Sequence, residues 1–246
     1  MLQQKNFDLT YMEREGFGGR ITIVTDRANA SERYVIKLQK RTQSLKEYIA
    51  QKLIAALGCY SIPCEWYKDS RGEVYGALKF MDGLKPVGLQ HCHDLTVEQK
   101  QKMLFYLALS CILGNADGGE VYLLNTAGTP TAGDLADMDV CSLDYGEALC
   151  GKSIFAATFE DDVNGWLKII TEVSLDLMEK TEDFGKVEIE DGCLEAVRRL
   201  GCLDLEQLDD CLSDIERYFG KQQAEWYRQY FVDLKTACGA VERSHI

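Results

Sequence analysis

The sequence has few prolines and comparatively few positive charges. Only three of the 246 residues are proline, and no internal repeat or low-complexity tract is visible, which excludes a proline-rich or repeat architecture. Lys and Arg total 27 against 40 Asp and Glu, giving a net charge of −13. A surface of that sign repels phosphate, which argues against non-specific binding to nucleic acid or anionic membranes. It does not exclude a nucleotide, which needs only a local patch of Lys and backbone N–H groups.

Long hydrophobic runs are missing as well. No window comes near the roughly 20 consecutive apolar residues that span a bilayer. The first stretch, "MLQQKNFDLTYMERE", does not have the basic-then-apolar pattern of a signal peptide. We therefore expect a cytoplasmic protein with neither a membrane partner nor a nucleic-acid partner.

The chain contains ten cysteines, but no two of them form a C-x-x-C pair. Several, such as Cys111 and Cys211, lie on apolar stripes, where cysteine behaves as a small hydrophobic residue. In a cytoplasmic protein these thiols are expected to be reduced. The "HCH" stretch at 91–93 is a candidate for weak binding of one metal ion. Because no second Cys/His cluster has ligand spacing, we do not expect a zinc site.

The first part of the chain has the pattern of a β-rich lobe that carries one helix. "GRITIV" and "RYVIKLQ" are strand-like runs joined by turn-forming residues. The next stretch, "SLKEYIAQKLIAALG", repeats its apolar residues at helical spacing, with Ser44 as the expected N-cap and Gly58 as the expected stop. Two further strands are expected in "CEWYKDSRGEVYGALKFMDG". We interpret residues 1–85 as an N-terminal lobe.

The hydrophobic period changes near Leu95. "TVEQKQKMLFYLALSCILG" predicts a helix capped by Thr96, and "VYLLN" and "VCSLDYG" are short strand candidates. Beyond Cys150 the apolar residues recur at three-four spacing, which indicates helices. The predicted fold is α+β and bilobal, with a mostly helical C-terminal lobe over residues 86–246 and a cleft between the lobes.

Two features of the first lobe are typical of phosphate binding. Gly16, Gly18 and Gly19 precede a strand, and glycines let a backbone hairpin approach phosphates closely and present N–H groups. A plain β-turn explains the same three glycines. Lys37 lies in the apolar run "YVIKLQ", where burial of an unpaired ammonium is costly. It either serves a site or extends its amine to solvent at a sheet edge.

Three carboxylates complete the pattern. Glu47, in the following helix, can pair with Lys37 and hold it towards phosphate oxygens, although a surface Glu is the simpler reading of that residue. Asp117 lies in the turn "GNADGG" and Asp144 in "SLDYGEAL". An Asp-x-Gly after a short apolar strand projects a carboxylate that can bind a metal ion.

In this order, the residues are the parts needed to move a phosphoryl group from ATP. The glycines and Lys37 would hold phosphates, and Glu47 would orient Lys37. Asp144 would bind Mg²⁺, and Asp117 would orient or deprotonate the acceptor. We therefore predict ATP and Mg²⁺ as cofactors.

Three stretches resemble the atypical kinase group of HipA-like bacterial kinases and phosphatidylinositol kinases. "YVIKLQ" resembles their Lys strand, and "KEYIAQKLIAALGCYSIPCEW" resembles their Glu helix with its Pro-containing approach to the next strand. "LSCILGNADGGEVYLLN", followed by "SLDYGEAL", resembles their catalytic block. The resemblance implies a bilobal protein-kinase-like fold with an N-terminal antiparallel β lobe that binds nucleotide and a C-terminal catalytic lobe. It implies a protein Ser/Thr hydroxyl as acceptor.

The catalytic block departs from that family at two positions. The family usually has Arg after the catalytic Asp, where this chain has Gly118. Five positions after the Asp the family has a metal-binding Asn, and here Tyr122 stands in its place. Asn125, Asp137 or Asp139 are the alternative sources of a metal ligand. Two other functions stay open: a pseudokinase that binds nucleotide or a partner, and a kinase-fold enzyme that transfers another group such as AMP.

Overall fold

The structure is a computed structural model that describes most of the predicted elements. The described residues are 2–3, 7–10, 15–16, 19–20, 22–26, 32–37, 41–81, 83–87, 94–115, 120–124, 138–146, 148–149 and 186–244. None of the helices in these ranges has the length and apolar character required to cross a bilayer.

A six-stranded sheet occupies the first part of the chain. Its strands are β1 (Leu2–Gln3), β2 (Phe7–Thr10), β5 (Thr22–Asp26), β6 (Arg33–Ile36), β7 (Cys64–Lys68) and β8 (Val74–Lys79). They lie in the order β1-β7-β8-β6-β5-β2, and all neighbours are antiparallel except β1 and β7.

A small hairpin continues from β2 and β5. Its strands β3 (Glu15–Gly16) and β4 (Gly19–Arg20) are antiparallel, and Gly16 lies opposite Gly19. Because β2 also pairs with β5, the two glycines lie near the tip of a hairpin that leads out of the main sheet.

Helix α1 (Arg41–Ala56) packs on β8 at Gly76. A Cβ on this glycine would overlap the backbone oxygen of Ser44 and would lie 2.8 Å from Cβ of Tyr48, so only glycine fits. The hydroxyl of Ser44 donates to the carbonyl oxygen of Gly76 at 2.5 Å. The prediction that Ser44 caps this helix was therefore wrong: the helix starts at Arg41, and Ser44 is buried against the sheet instead. Gly58 follows the helix with a φ of 72°, as expected of a stop.

Helix α2 (Val97–Ile112) begins as predicted. The side chain of Thr96 accepts from the backbone N–H of Gln99, and the Gln99 side chain accepts from the Thr96 backbone, which makes a capping box. The two predicted short strands are also present. With β9 (Lys85–Pro86) they form a three-stranded sheet in the order β11-β10-β9, with β10 at Glu120–Leu124 and β11 at Asp139–Leu143.

The last part of the described chain is helical. Helices α3 (Lys186–Gly201), α4 (Asp209–Phe219) and α5 (Lys221–Ser244) follow one another, with a 3-10 turn at Leu205–Leu208 before α4. The first of the helical stretches expected beyond Cys150, "NGWLKIITEVSLDLMEK", lies outside the described residues.

One apolar core joins the two parts of the chain. Its largest cluster draws buried side chains from α1, α2, the second sheet, α3, α4 and α5; examples are Leu45, Ile49, Leu53, Leu104, Leu109, Val140, Leu200, Leu212, Ile215 and Phe231. The fold is therefore α+β with antiparallel sheets, as predicted. The predicted lobe boundary after residue 85 falls inside β9, which pairs with β10.

Candidate functional site

Lys37 lies at the centre of a cluster built from three separate elements. It follows β6, and its Nζ lies 2.9 Å from Oε1 of Glu47 on α1. The same ammonium lies 2.5 Å from Oδ1 of Asp144, which follows β11. The ion pair between Lys37 and Glu47 that the sequence predicted is thus present. The second contact joins Lys37, the predicted phosphate-binding residue, directly to Asp144, the predicted metal-binding residue.

The three side chains differ in their exposure to solvent. Glu47 is only 2% exposed, whereas the side chain of Lys37 is 24% exposed and that of Asp144 is 44% exposed. Glu47 therefore forms the buried floor of the cluster and Asp144 its open side. A ligand that approaches from solvent meets the carboxylate of Asp144 and the ammonium of Lys37 first.

Burial and charge act on Lys37 in opposite directions. Burial by itself lowers the pKa of Lys37, but the nearby carboxylates of Glu47 and Asp144 outweigh it, and the pKa is raised above its ordinary value of 10.5. Lys37 is therefore a permanent cation at neutral pH. Such a charge, held in one direction by a buried partner, is suited to binding phosphate oxygens.

Glu47 is a buried carboxyl with one oxygen in use. Burial raises the pKa of Glu47 above its ordinary value, and the ammonium of Lys37 opposes this shift. Its Oε2 makes no direct hydrogen bond to the residues that the structure describes, but the backbone N–H of Tyr145 also favours the ionised form and lowers the pKa of Glu47. A buried carboxylate without a cationic partner is costly, so the ionised state of Glu47 depends strongly on Lys37.

The backbone at Asp144 is held in an unusual conformation. Its φ is 64°, in the left-handed region that asparagine, aspartate and glycine tolerate better than other residues. The side-chain amide of Asn115 donates to the backbone oxygen of Asp144 at 2.9 Å and to the hydroxyl of Ser110 at 3.1 Å. Asn115, two residues before Asp117, thus links the end of α2 to the turn after β11.

Gln51 attaches α1 to the strand that leads to Asp144. Its Nε2 donates to the carbonyl oxygen of Ser142 at 3.0 Å, and its Oε1 accepts from the backbone N–H of Ile62 at 2.8 Å. The hydroxyl of Tyr145 also donates to the hydroxyl of Ser142 at 3.0 Å. Because Gln51 lies one helical turn after Glu47, the same face of α1 contacts both Lys37 and β11.

Sequence reasoning did not select Gln51 or Asn115. Gln51 lies on the face of α1 opposite to Leu45, Ile49 and Leu53, so the hydrophobic spacing gave no sign that it is buried. Asn115 gave no sign either, because a turn such as "GNADGG" often contains Asn for local reasons.

Gly146, the glycine of the Asp-x-Gly motif, approaches Lys37 closely. A Cβ at this position would lie 3.3 Å from Nζ of Lys37 and 3.2 Å from Cβ of Gln43. Any larger residue would therefore press on the ammonium or on the first turns of α1. The glycine of the motif keeps the space that Lys37 needs to reach Asp144.

The other predicted site residues are placed less completely. Gly16 and Gly19 belong to the β3–β4 hairpin, whereas Gly18, Asp117 and the 91–93 stretch lie outside the described residues. Tyr122, which replaces the expected metal-binding Asn, lies inside β10 opposite Cys141.

The part of the chain that the structure describes contains no group of three or more His, Cys, Asp and Glu side chains arranged to hold a metal ion. Comparison of the chain with protein families, with curated proteins and with solved structures gives no match.

Proposed function

We propose that this chain is an ATP-dependent phosphotransferase of HipA-like type with a bilobal, protein-kinase-like fold. The observation that carries the proposal is the convergence of Lys37, Glu47 and Asp144. These residues come from the end of a strand, from a helix and from the end of a distant strand. Protein kinases need a strand Lys paired with a helix Glu and an Asp that binds Mg²⁺.

The order of elements along the chain supports the same proposal. A glycine-containing hairpin precedes β6, Lys37 follows β6, and Glu47 lies on the next helix. Asp117 follows helix α2 in the sequence, and Asp144 follows β10 and β11. This is the order that the resemblance of the sequence to HipA-like kinases implies.

The side chains fit a nucleotide with its metal ion. Lys37 supplies a permanent positive charge for phosphate oxygens, and the ion pair with the buried Glu47 fixes the direction of the Lys37 ammonium. Asp144 offers a partly exposed carboxylate for Mg²⁺, which usually takes one or two carboxylates together with phosphate oxygens and water. When bound, Mg-ATP would supply the phosphoryl group and the counter-charge for its transfer.

The chain's own residues then divide the remaining tasks. Asp117 would accept the proton of the acceptor hydroxyl or hold that hydroxyl in line, as the turn Asp does in the family that the sequence resembles. The glycines of the β3–β4 hairpin would let the backbone approach the phosphates and donate N–H groups. The acceptor class, a protein Ser/Thr hydroxyl, comes from the resemblance alone.

A second candidate function is that of a pseudokinase that binds ATP without transferring phosphate. The observation that favours it is the setting of Tyr122. This residue packs with Ile62, Leu124 and Cys141 in a small apolar cluster, and it has no amide oxygen to offer a metal ion. Transfer then depends on a single metal-binding carboxylate, that of Asp144.

Labelled ATP distinguishes these functions. We would incubate the protein with ATP labelled at the γ or the α phosphate, with Mg²⁺ or Mn²⁺, and with a mixture of candidate proteins. Protein-bound γ label that Lys37→Met abolishes and Asp210→Ala retains supports phosphotransfer; Asp210 is exposed on α4, remote in sequence from the cluster. Bound α label indicates transfer of AMP instead. ATP binding without label favours the pseudokinase, and absence of ATP binding overturns both proposals.

A further inference from the structure

Trp66 on β7 connects helix α4 to helix α1, the helix that carries Glu47. Its ring stacks on Tyr48 with 3.8 Å between ring centroids and 28° between the planes. Tyr48 directly follows Glu47 on α1. The Trp66 ring also contacts Tyr218 and Phe219 at the end of α4, at centroid distances of 5.6 and 5.7 Å.

A charge-assisted hydrogen bond fixes the Trp66 ring. Its Nε1 donates to Oδ2 of Asp214 on α4 at 2.9 Å. Hydrogen bonds to an ionised acceptor are stronger than neutral ones, and they set the direction of the donor. The orientation of Trp66, and with it the surface on which Tyr48 rests, is therefore determined by a residue of α4.

Arg41, the first residue of α1, makes a second connection to α4. Its guanidinium lies over the ring of Phe219, 4.6 Å from the centroid, and donates to the backbone oxygen of Tyr218 at 3.5 Å. The same group donates to the backbone oxygen of Val74 at 3.0 Å and pairs with Glu73 at 2.8 Å. Arg41 thus ties the start of α1 both to α4 and to β8.

We propose that α4 braces α1, and that Trp66, Asp214 and Arg41 are positioning residues for the Lys37–Glu47 pair. The two connections hold α1 at its first residue and at Tyr48, so Glu47 lies between two fixed points. Rotation of α1 that moves Glu47 away from Lys37 would break the Tyr48–Trp66 stacking or the Arg41 contacts, and the hydrogen bond to Asp214 keeps the Trp66 ring in place against Tyr48. The value of this arrangement for nucleotide binding rests on the proposed function, whereas the bracing itself does not.

Reactivity of the Lys37 amine tests the bracing without any nucleotide. Trace labelling with acetic anhydride, quantified at each lysine by mass spectrometry, reports how well each amine is protected. We expect Asp214→Ala and Trp66→Phe each to raise the labelling rate of Lys37 about tenfold, the scale of one lost charge-assisted hydrogen bond. Asp214→Asn, which keeps an acceptor oxygen, should stay close to wild type.

Two controls distinguish loss of the contacts between α4 and α1 from a general loss of stability. Lys102 on α2 is also paired with carboxylates, at Glu98 and Asp139, and its rate should not change. Asp210→Ala removes an exposed carboxylate from the same helix α4 and should leave Lys37 unchanged. If Lys37 is labelled no faster in Asp214→Ala and Trp66→Phe than in Asp210→Ala, the proposal is overturned. A parallel rise at Lys37 and Lys102 overturns it as well.

ATP affinity then links the brace to the proposed function. If wild-type protein binds ATP in calorimetry, Asp214→Ala should weaken binding, and it should weaken it much less when Glu47→Gln is already present. Equal effects in both backgrounds mean that Asp214 does not act through Glu47. If wild-type protein binds no ATP, the proposed function fails, and the labelling rates alone decide whether α4 braces α1.

Discussion

The ammonium of Lys37 donates a 2.5 Å hydrogen bond to Oδ1 of Asp144, a residue 107 positions further along the chain. This contact closes the candidate site, because it joins the end of β6 to the end of β11. It also means that Asp144 already has a cationic partner before any ligand arrives. A divalent cation that binds Asp144 must share this carboxylate with Lys37 or displace the ammonium towards phosphate.

Lys37→Met should lower the free energy of unfolding by about 3 kcal/mol at neutral pH, because it leaves the buried carboxylate of Glu47 without its partner. The deficit relative to wild type should depend on pH. Burial already raises the pKa of Glu47 above 4.5, and loss of the ammonium raises it further. Protonated Glu47 is tolerated in the apolar site. The deficit should therefore be small below pH 4.5 and should grow as pH rises through the raised pKa.

Urea unfolding of both proteins from acid to neutral pH measures this deficit. Glu47→Gln serves as the control background, since it removes the titrating group: within it, the loss caused by Lys37→Met should be nearly constant with pH. A deficit for Lys37→Met alone that grows towards acid pH would contradict the buried ion pair.

Lys37→Ala should abolish ATP binding while the protein stays folded, because the charge that faces the phosphates is lost. Lys85→Ala is the matched control: Lys85 is an exposed lysine on β9, and its removal changes net charge by the same amount. Calorimetric titration with ATP measures both variants. Unchanged affinity in Lys37→Ala would count decisively against the assigned role of Lys37.

Asp144→Asn should weaken Mg²⁺-dependent ATP binding much more than Asp117→Asn does. Asp144 is assigned to the metal ion, whereas Asp117 is assigned to the acceptor hydroxyl, so only the first should change the metal effect. Each variant would be titrated with ATP in the presence and absence of Mg²⁺. If Asp144→Asn binds Mg-ATP as wild type does, phosphotransfer loses its main support and the pseudokinase is favoured.

Asp144→Gly should be more stable than Asp144→Ala by about 1 kcal/mol. Both variants lose the contact with Lys37, but only alanine carries the strain of a left-handed backbone at a φ of 64°. The same pair of substitutions at Ser213, an exposed residue in the middle of helix α4, should have the opposite order by a similar amount because glycine is a poor helix former. Urea unfolding compares the four proteins. Equal stability of the Asp144 pair would show that the turn relaxes.

Gly76→Ala should destabilise the protein by about 3 kcal/mol, the upper range for an overpacked core. Its new methyl group would overlap backbone and Cβ atoms of α1, which have no alternative rotamer to adopt. Ser44→Ala removes only the hydrogen bond to the Gly76 oxygen and should cost about 1 kcal/mol. Thermal or urea unfolding ranks the two, and a smaller loss for Gly76→Ala would mean that α1 can shift on the sheet.

The sequence allowed prediction of those parts of the site that depend on local chemistry. Lys37 in an apolar strand and Glu47 in the following helix are ten residues apart, and their pairing is confirmed. The helix cap at Thr96 and the strands β10 and β11 were also predicted, because hydrophobic period and cap chemistry act over a few residues.

Contacts between distant residues were not predictable in the same way. Ser44 has the chemistry of a helix cap, yet close packing on Gly76 gives it a buried role in the second turn of α1. The bonds of Gln51 to Ser142 and of Asn115 to Asp144 depend on how α1, α2 and β11 pack together. A single sequence contains no local pattern for such packing.

The shared apolar core has a consequence for how the protein loses its structure. Side chains of α1 in the first part of the chain and of α4 and α5 in the last part belong to one cluster, and Trp66 contacts both α1 and α4. Loss of the C-terminal helices would expose the Trp66 ring and the side chains of the cluster that these helices cover. Among the described elements, sheet and helices are thus expected to melt in one cooperative transition, and a truncated chain ending before α4 would be prone to aggregate.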